Sequence, residues 1–332
     1  MRLLEAAPLP ERTVGRTGLA LSEIGFGAGP LGGFYGPVEA EEGARAARRA
    51  YELGVRYFDV APLYGHGRAE LALGHALRDI PRDTYVLSTK VGRYMVPAGA
   101  PTRPERVRGE GIAFNPVLDY TRDGTLRSLE QSLLRLGVSR VDIVYIHDVD
   151  AHSQGTDEAA EAAFREAMQG ALPTLLELKS QGVIRAVGVG LNQPRWALRW
   201  LAEAELDVLM LAGRLTLLNR EAEEQVLAEC RARQVGYIAA GAFNGGYLAR
   251  GGLDASQFNY RLTPAEVRER YTRLVARASL AGVNVTSAAL QFPLRHAGVV
   301  SLVVGAASPR EVEQNLAARG SAIPTAFWDA LP

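Results

Sequence analysis

Short apolar runs alternate along the chain with longer stretches in which apolar residues recur every three or four positions. The short runs are LSEIGF (21–26), VRYFDV (55–60), TYVLSTK (84–90), VDIVYIH (141–147), IRAVGVG (184–190), LDVLML (206–211), VGYIAA (235–240) and VVSLVV (299–304). Each is bounded by Gly or Asp and is almost continuously apolar, the pattern of parallel strands covered on both faces. Between them, VEAEEGARAARRAYELG (38–54) is rich in Ala, Glu and Arg and stops at Gly54. RDGTLRSLEQSLLRLGV (122–138) spaces its apolar residues three and four apart and ends at Gly137, as a helix does. EEQVLAECRARQVG (223–236) and TPAEVRERYTRLVARASLAG (263–282) follow the same plan, the latter with Thr263 as N-cap and Pro264 in the first turn. Eight strands, each followed by a helix, predict an α/β fold: one (β/α)8 TIM barrel spanning 1–332 as a single domain.

The rival arrangement is a Rossmann domain followed by a substrate domain. Gly27-Ala28-Gly29-Pro30-Leu31-Gly32 matches G-x-G-x-x-G and follows a strand. A dinucleotide fingerprint must also open a helix, so that the pyrophosphate meets its N-terminus. Here Gly33, Phe34, Tyr35, Gly36 and Pro37 intervene, which makes the segment a first strand-to-helix loop. The longest irregular stretch is roughly 92–119, between strand three and its helix, and a loop of that length in a compact domain usually has a function.

Charge and composition narrow the function. The 37 basic and 37 acidic residues cancel, which argues against a nucleic-acid partner, since such proteins carry a basic face. No apolar run reaches the roughly 18 residues that cross a bilayer, and MRLLEAAPLPERTV lacks the apolar core of a signal peptide. The single cysteine, Cys230, excludes an internal disulfide framework and fits a reducing cytoplasm. Lys90 and Lys179 are the only lysines, with arginine supplying the other 35 cations. A lysine at the end of an apolar strand therefore needs a reason.

In a barrel of this type the chemistry sits at the C-terminal ends of the strands. Asp59 ends strand two, Tyr64 follows in a short loop, Lys90 ends strand three and His147 ends strand four. A buried ammonium requires a carboxylate partner, which Asp59 can supply. Lys90 close to Tyr64 would lower the phenol from its ordinary pKa of about 10. His147 could bond the same substrate oxygen as Tyr64. A tuned phenol is a general acid or base, and with no nucleophile beside it the reaction calls for a hydride from a cofactor.

These four residues, in this order and setting, resemble the catalytic tetrad of the aldo-keto reductases. The resemblance runs from TVGRTGLALSEIGFG through FDVAPLYGHGRAELALG, STKVGR, LRSLEQSLLRLGVSRVDIVYIHD and LKSQGVIRAVGVGLNQ to GAASPREVEQNL. It adds a pre-barrel hairpin over about 12–20 and long strand-to-helix loops to the expected fold. Within the family, VYIHDVDAH, LMLAGRLTLLN and AAGAFNGGYLA are similar to the bacterial branch of L-fucose, D-threo-aldose, galactose and pyridoxal 4-dehydrogenases.

The resemblance implies an extended nicotinamide cofactor across the barrel mouth, touching Gly27 and Asp59 at the first strands. Asn192 matches the residue that holds the carboxamide. Gly241, Phe243, Asn244, Gly246 and Leu248 fall in the segment over the pyrophosphate, and Gly305, Ala306, Glu311, Gln314 and Asn315 in the adenosine site. A common glutamine near the end of strand six is replaced by Ala212, followed by Gly213 and Arg214, the last taken as a cofactor contact. NADP-preferring relatives carry a Lys-Ser pair and a later arginine where Gly305-Ala306 and Glu311 stand. Losing two cations and gaining a carboxylate disfavours a 2′-phosphate, so NAD is the expected cofactor, while Arg310 keeps NADP open.

The expected activity is therefore NAD(P)-dependent oxidation of an aldose at C1 to a lactone, or reduction of a small aldehyde, with Tyr64 as acid and base. Tyr35, His66, Arg93, Tyr94 and Asp148 are candidate contacts for a small-molecule substrate. Pyridoxal or general aldehyde reduction, a Schiff-base aldolase using Lys90, and a non-catalytic, redox-sensing nucleotide module are the alternatives. No metal is expected: His147-Asp148-Val149-Asp150-Ala151-His152 finds no completing ligands in His66, His75 or His296.

Overall fold

The computed structural model describes residues 8–33, 36–98, 112–249, 258 and 263–331. The chain opens with an antiparallel hairpin, β1 (Glu11–Val14) and β2 (Leu19–Ser22), with Val14 opposite Leu19. Gly15 turns it at φ +44°, where an added Cβ would stand 2.1 Å from the Gln234 carbonyl oxygen, so only glycine fits. Strands β3 (Ile24–Gly27), β4 (Tyr57–Asp59) and β5 (Val86–Val91) begin the barrel. A second antiparallel pair, β6 (Arg93–Pro97) and β7 (Phe114–Leu118), follows β5. Then come β8 (Ile143–His147), β9 (Ala186–Leu191), β10 (Val208–Ala212), β11 (Gly236–Ala240) and β12 (Val299–Gly305). Eight parallel strands close in the order β3-β4-β5-β8-β9-β10-β11-β12, with β12 pairing back onto β3.

The hairpin plugs the N-terminal end of the barrel. Val14, Leu19 and Leu21 are almost fully buried in one cluster with Tyr57, Ile143, Val208 and Ile238 of the strands. Removing each such side chain from water contributes about 1.5–3 kcal/mol, which holds a two-stranded ribbon that would be marginal alone. The outer faces of the strands pack against helices such as Ala40–Glu52 and Arg122–Leu136. The second of these has Thr121 accepting from the Gly124 amide at 3.1 Å and a left-handed Gly137 at its end. Among the described residues no helix is long and apolar enough to cross a membrane.

Three local expectations need correction. LSEIGF is not one strand: Ser22 ends the hairpin and Ile24 begins the barrel, with Glu23 between them donating its amide to the Pro10 carbonyl. The stretch 92–119 is not irregular throughout, because its two ends pair as β6 and β7, Arg93 opposite Leu118. Two five-residue strands carrying Pro97 and Pro116 read as loop because proline cannot donate to a ladder; residues 99–111 lie outside the described residues. Thr263 does not cap its helix, which runs over Ala265–Leu280. Pro264 takes the extended capping position, and no side-chain bond is made there.

Candidate active site

Side chains alternate across a strand, and three neighbouring strands use that alternation in the same way. β4 turns Tyr57 and Asp59 to the interior, β5 turns Ser88 and Lys90, and β8 turns Tyr145 and His147. The register sets Asp59 beside Ser88, Lys90 beside Tyr145 and His147 beside Gly190. The Lys90 ammonium donates to Asp59 Oδ1 at 2.7 Å, to Asp59 Oδ2 at 2.6 Å and to the Val60 carbonyl at 3.0 Å. Lys90 is 1% and Asp59 3% exposed. All three ammonium protons are engaged, so no lone pair is offered for a Schiff base. The arrangement makes Lys90 a fixed positive charge.

Tyr64 opens a short turn, Tyr64–Gly67, after β4. The Lys90 nitrogen lies 5.3 Å from the centre of its ring. The His147 ring meets it edge to face, centroids 6.1 Å apart at 87°. The Gly-rich segment after β3 explains how the turn fits. Gly29–Gly32 forms a single 3-10 turn, and a Cβ on Gly32 would come within 2.5 Å of the Tyr64 carbonyl carbon. Those glycines let two loops touch, and no helix starts at them.

Burial pushes the His147 imidazole down to about 3, with Lys90 and Arg93 acting the same way and Asp148 opposing. The ring is therefore neutral across the working pH range. Its backbone is anchored by the Tyr120 hydroxyl, which donates to the His147 carbonyl at 2.6 Å. Asp148 follows with φ +64°, a left-handed conformation that is uncommon outside glycine. Its carboxylate lies 3.0 Å from Arg93 and 3.5 Å from His147 Nε2, and it accepts from Asn192 Nδ2 at 3.2 Å. Burial alone would raise this carboxyl. His147, Arg93 and bonds from Ser153 and Asn192 outweigh it and hold the pKa below the usual value. For Asp150, burial wins over the amides of Asn192 and Ser153, and the carboxyl is raised.

The far half of the mouth is made differently. Asn192 Nδ2 also donates to Ser153 Oγ at 3.1 Å, which turns the amide so that Oδ1 remains an acceptor. Arg214 Nε donates to the Asn192 carbonyl. His152, Asn192, Ala212, Gly213, Arg214, Gly241 and Gly245 line one pocket. Gly241, Asn244, Gly245 and Gly246 all have positive φ, so this loop presents backbone where side chains would otherwise fill the space. The result is a glycine-lined pocket edge beside the Asn192 amide oxygen.

Asp59, Lys90, Tyr64 and His147 are brought together, with Arg93 and Asp148 beside His147. His66 is buried, with φ +54° and Nδ1 donating to the Phe114 carbonyl at 2.6 Å. Tyr94 points away from Arg93 along β6 and lies under the Arg127 guanidinium, 4.7 Å from ring centre. Tyr35 lies outside the described residues. Of the cofactor candidates, Leu248 is buried in a cluster with Tyr247 and Phe258, and Phe243 packs against it. Asn244 Nδ2 reaches the Gly213 carbonyl at 3.4 Å. Gly27 sits beside Gly305, and a Cβ on it would meet Val303 at 2.9 Å. Ala306 is buried just before helix Pro309–Arg319, while Gln314, exposed, and Asn315, half-buried, stand in the middle of it. Glu311 has local work: its Oε2 accepts from the Ala307 amide at 2.7 Å while Ser308 caps the helix by accepting the Glu311 amide at 3.3 Å.

Sequence reasoning did not single out Tyr57, Ser88, Tyr145 or Ser153, and weighed Asp150 only as part of a metal-binding string. For Tyr57, Ser88 and Tyr145 the available signal was a hydroxyl two positions before each of Asp59, Lys90 and His147. Among the described residues no group of three His, Cys, Asp or Glu is placed to hold a metal ion.

A closed barrel with an ammonium–carboxylate pair, a phenol and a neutral imidazole at one side of its mouth defines an oxidoreductase class, and comparison gives the same answer. The aldo/keto reductase family model matches residues 23–331, and the chain belongs to that family, whose members use nicotinamide cofactors. It is 37% identical to the pyridoxal 4-dehydrogenase of Microbacterium luteolum, over 97% of this chain and 96% of the relative. It is 34% identical to the D-threo-aldose 1-dehydrogenase of a Pseudomonas species, again over 97% and 96%. The fold is shared with an aldo-keto reductase of Bacillus halodurans in its holo form, TM-score 0.74 at 24% identity, covering 96% of this chain and 93% of that one.

Proposed function

We propose that the protein oxidises a neutral, hydroxylated substrate, an aldose at C1 or a small aldehyde–alcohol couple of the pyridoxal type, with NAD preferred over NADP. The observation that carries this reading is the buried Lys90–Asp59 pair set against the Tyr64 ring, with an uncharged His147 at its edge. A bound nicotinamide supplies the hydride acceptor in oxidation and the donor in reduction. Asn192 through its free Oδ1, Arg214 and the backbone of 241–248 are the groups that would hold it, with 305–315 at the adenosine end.

In oxidation Tyr64 takes the proton of the reacting hydroxyl, its acidity increased by the positive charge of Lys90. Asp59 holds the Lys90 ammonium in place through both carboxylate oxygens. His147, neutral, donates a hydrogen bond to the reacting oxygen and orients it without adding a charge. Reduction runs the same groups in reverse, with Tyr64 as the acid. Charge balance favours an uncharged substrate: Lys90 is matched by Asp59 and Arg93 by Asp148. For the nucleotide, Glu311 repels a 2′-phosphate, and its second oxygen remains for a ribose hydroxyl.

The test is formation of NADH or NADPH with L-fucose, D-arabinose, L-galactose, D-galactose and pyridoxal. Activity with one or two of these and NAD is expected. Activity with NADP alone would discard the Glu311 argument. Silence across the panel with nucleotide still bound would replace this reading with that of a nucleotide-binding module.

A further inference from the structure

The strands that carry Asp59, Lys90 and His147 each bear a hydroxyl one step deeper in the barrel, and those hydroxyls are linked. Tyr145 and Tyr57 hydroxyls are 3.0 Å apart, Tyr57 and Ser88 hydroxyls 3.1 Å, and Ser88 donates to Asp59 Oδ1 at 2.7 Å. All three hydroxyl residues are fully buried. Counting protons fixes the direction. Ser88 has one proton and gives it to the carboxylate, so toward Tyr57 it can only accept. Tyr57 then spends its own proton on Ser88 and must accept from Tyr145. Burial raises both phenols well above their usual range, so neither loses the proton on which this order depends.

We propose that Tyr145, Tyr57 and Ser88 are positioning residues, a one-way donor chain that draws the negative charge of Asp59 away from Lys90 and thereby sets the acidity of Tyr64. The inference rests on the reading of Tyr64 given above. Charge-assisted bonds to a carboxylate are the strong ones, and a polarised chain strengthens its last member. With the chain in place, less of the Lys90 field at Tyr64 is cancelled by Asp59. With it broken, the anion's charge is concentrated beside Lys90, and the phenol becomes harder to ionise. The other titratable groups facing this cluster are His147, with Asp148 and Arg93 beyond it.

Tyr57→Phe removes one oxygen and keeps the ring, so packing is preserved. In the pH dependence of kcat for substrate oxidation, the limb on which the base form of Tyr64 appears should move up by about half a pH unit. That is roughly a threefold loss of rate below the limb, with KM for the nucleotide unchanged. Ser88→Ala should move it further and Tyr145→Phe less, a gradient that a merely structural role does not produce. Superimposable profiles for Tyr57→Phe and wild type would overturn the proposal, as would a shift in the opposite direction. Phenolate absorbance of Tyr64, taken against the matching Tyr64→Phe protein in each background, gives the same pKa without turnover. It decides the matter even if no substrate is found and the functional reading itself fails.

Discussion

The two halves of the barrel mouth are built from different materials. On β4, β5 and β8 the interior positions carry phenols, a serine, a carboxylate, an ammonium and an imidazole, locked by short bonds. Across the mouth β9 turns Gly188 and Gly190 inward, and the ends of β10, β11 and β12 give way to Gly213, Gly241 and Gly305. One half fixes charges; the other clears space and offers backbone. A reaction that moves a proton at one point and needs a large flat partner beside it calls for both. Substitutions in the first half should damage the chemical step, and those in the second should damage nucleotide affinity.

The sharpest way to break that division is Lys90→Met. It strands Asp59 without its partner in the interior, a loss of about 3–5 kcal/mol by analogy with other broken buried pairs. Thermal unfolding should show it, and turnover should vanish with it. If the variant keeps full stability, the Lys90–Asp59 pair does not anchor this half of the barrel. On the opposite side, Gly241→Ala puts a Cβ 3.2 Å from the Gly213 amide at φ +67°, costing about 1–2 kcal/mol of backbone strain. Nucleotide affinity should fall about tenfold while kcat at saturation changes little; a kcat effect without an affinity effect would erase the contrast.

A third effect is one of pH. His147 sits at about 3 when folded and near 6.5 when unfolded. As pH falls through that window the unfolded chain takes up the proton first, so stability is full above about 6.5 and drains away toward 3. Asp148, held low, acts with the same sign. Denaturant unfolding from pH 8 to 4 should show a shallower loss in His147→Gln than in wild type. The smallest effect belongs to Glu311→Gln. It keeps the bond to Ala307 and removes the charge, so stability should change by less than about 0.5 kcal/mol. The NAD-to-NADP preference should weaken severalfold, read as a ratio of kcat/KM values.

That Asp59, Tyr64, Lys90 and His147 meet was legible in the sequence, because a rare lysine and an aspartate ending apolar strands have few physical excuses. The barrel was legible for a similar reason: eight buried parallel strands leave near-continuous apolar runs. The hydroxyl chain was not, since Tyr57, Ser88 and Tyr145 each read as an ordinary strand residue and only register brings them together. β6 and β7 were hidden by their prolines and by a pairing that crosses a long insertion. Glu311 carries two signals at once. Ser308-Pro309-Arg310-Glu311 spells out a helix N-terminus, and one Glu311 oxygen is spent there on the Ala307 amide, which leaves the other for the proposed ribose contact.

The central claim is that Tyr64 handles the proton while the glycine-lined half holds the nucleotide independently of it. Tyr64→Phe tests both parts at once, by steady-state turnover and by nucleotide titration on the same preparation. A loss of about 10²–10⁴ in kcat, with nucleotide affinity essentially unchanged, is the result the account predicts. Turnover close to wild type in that variant would contradict it.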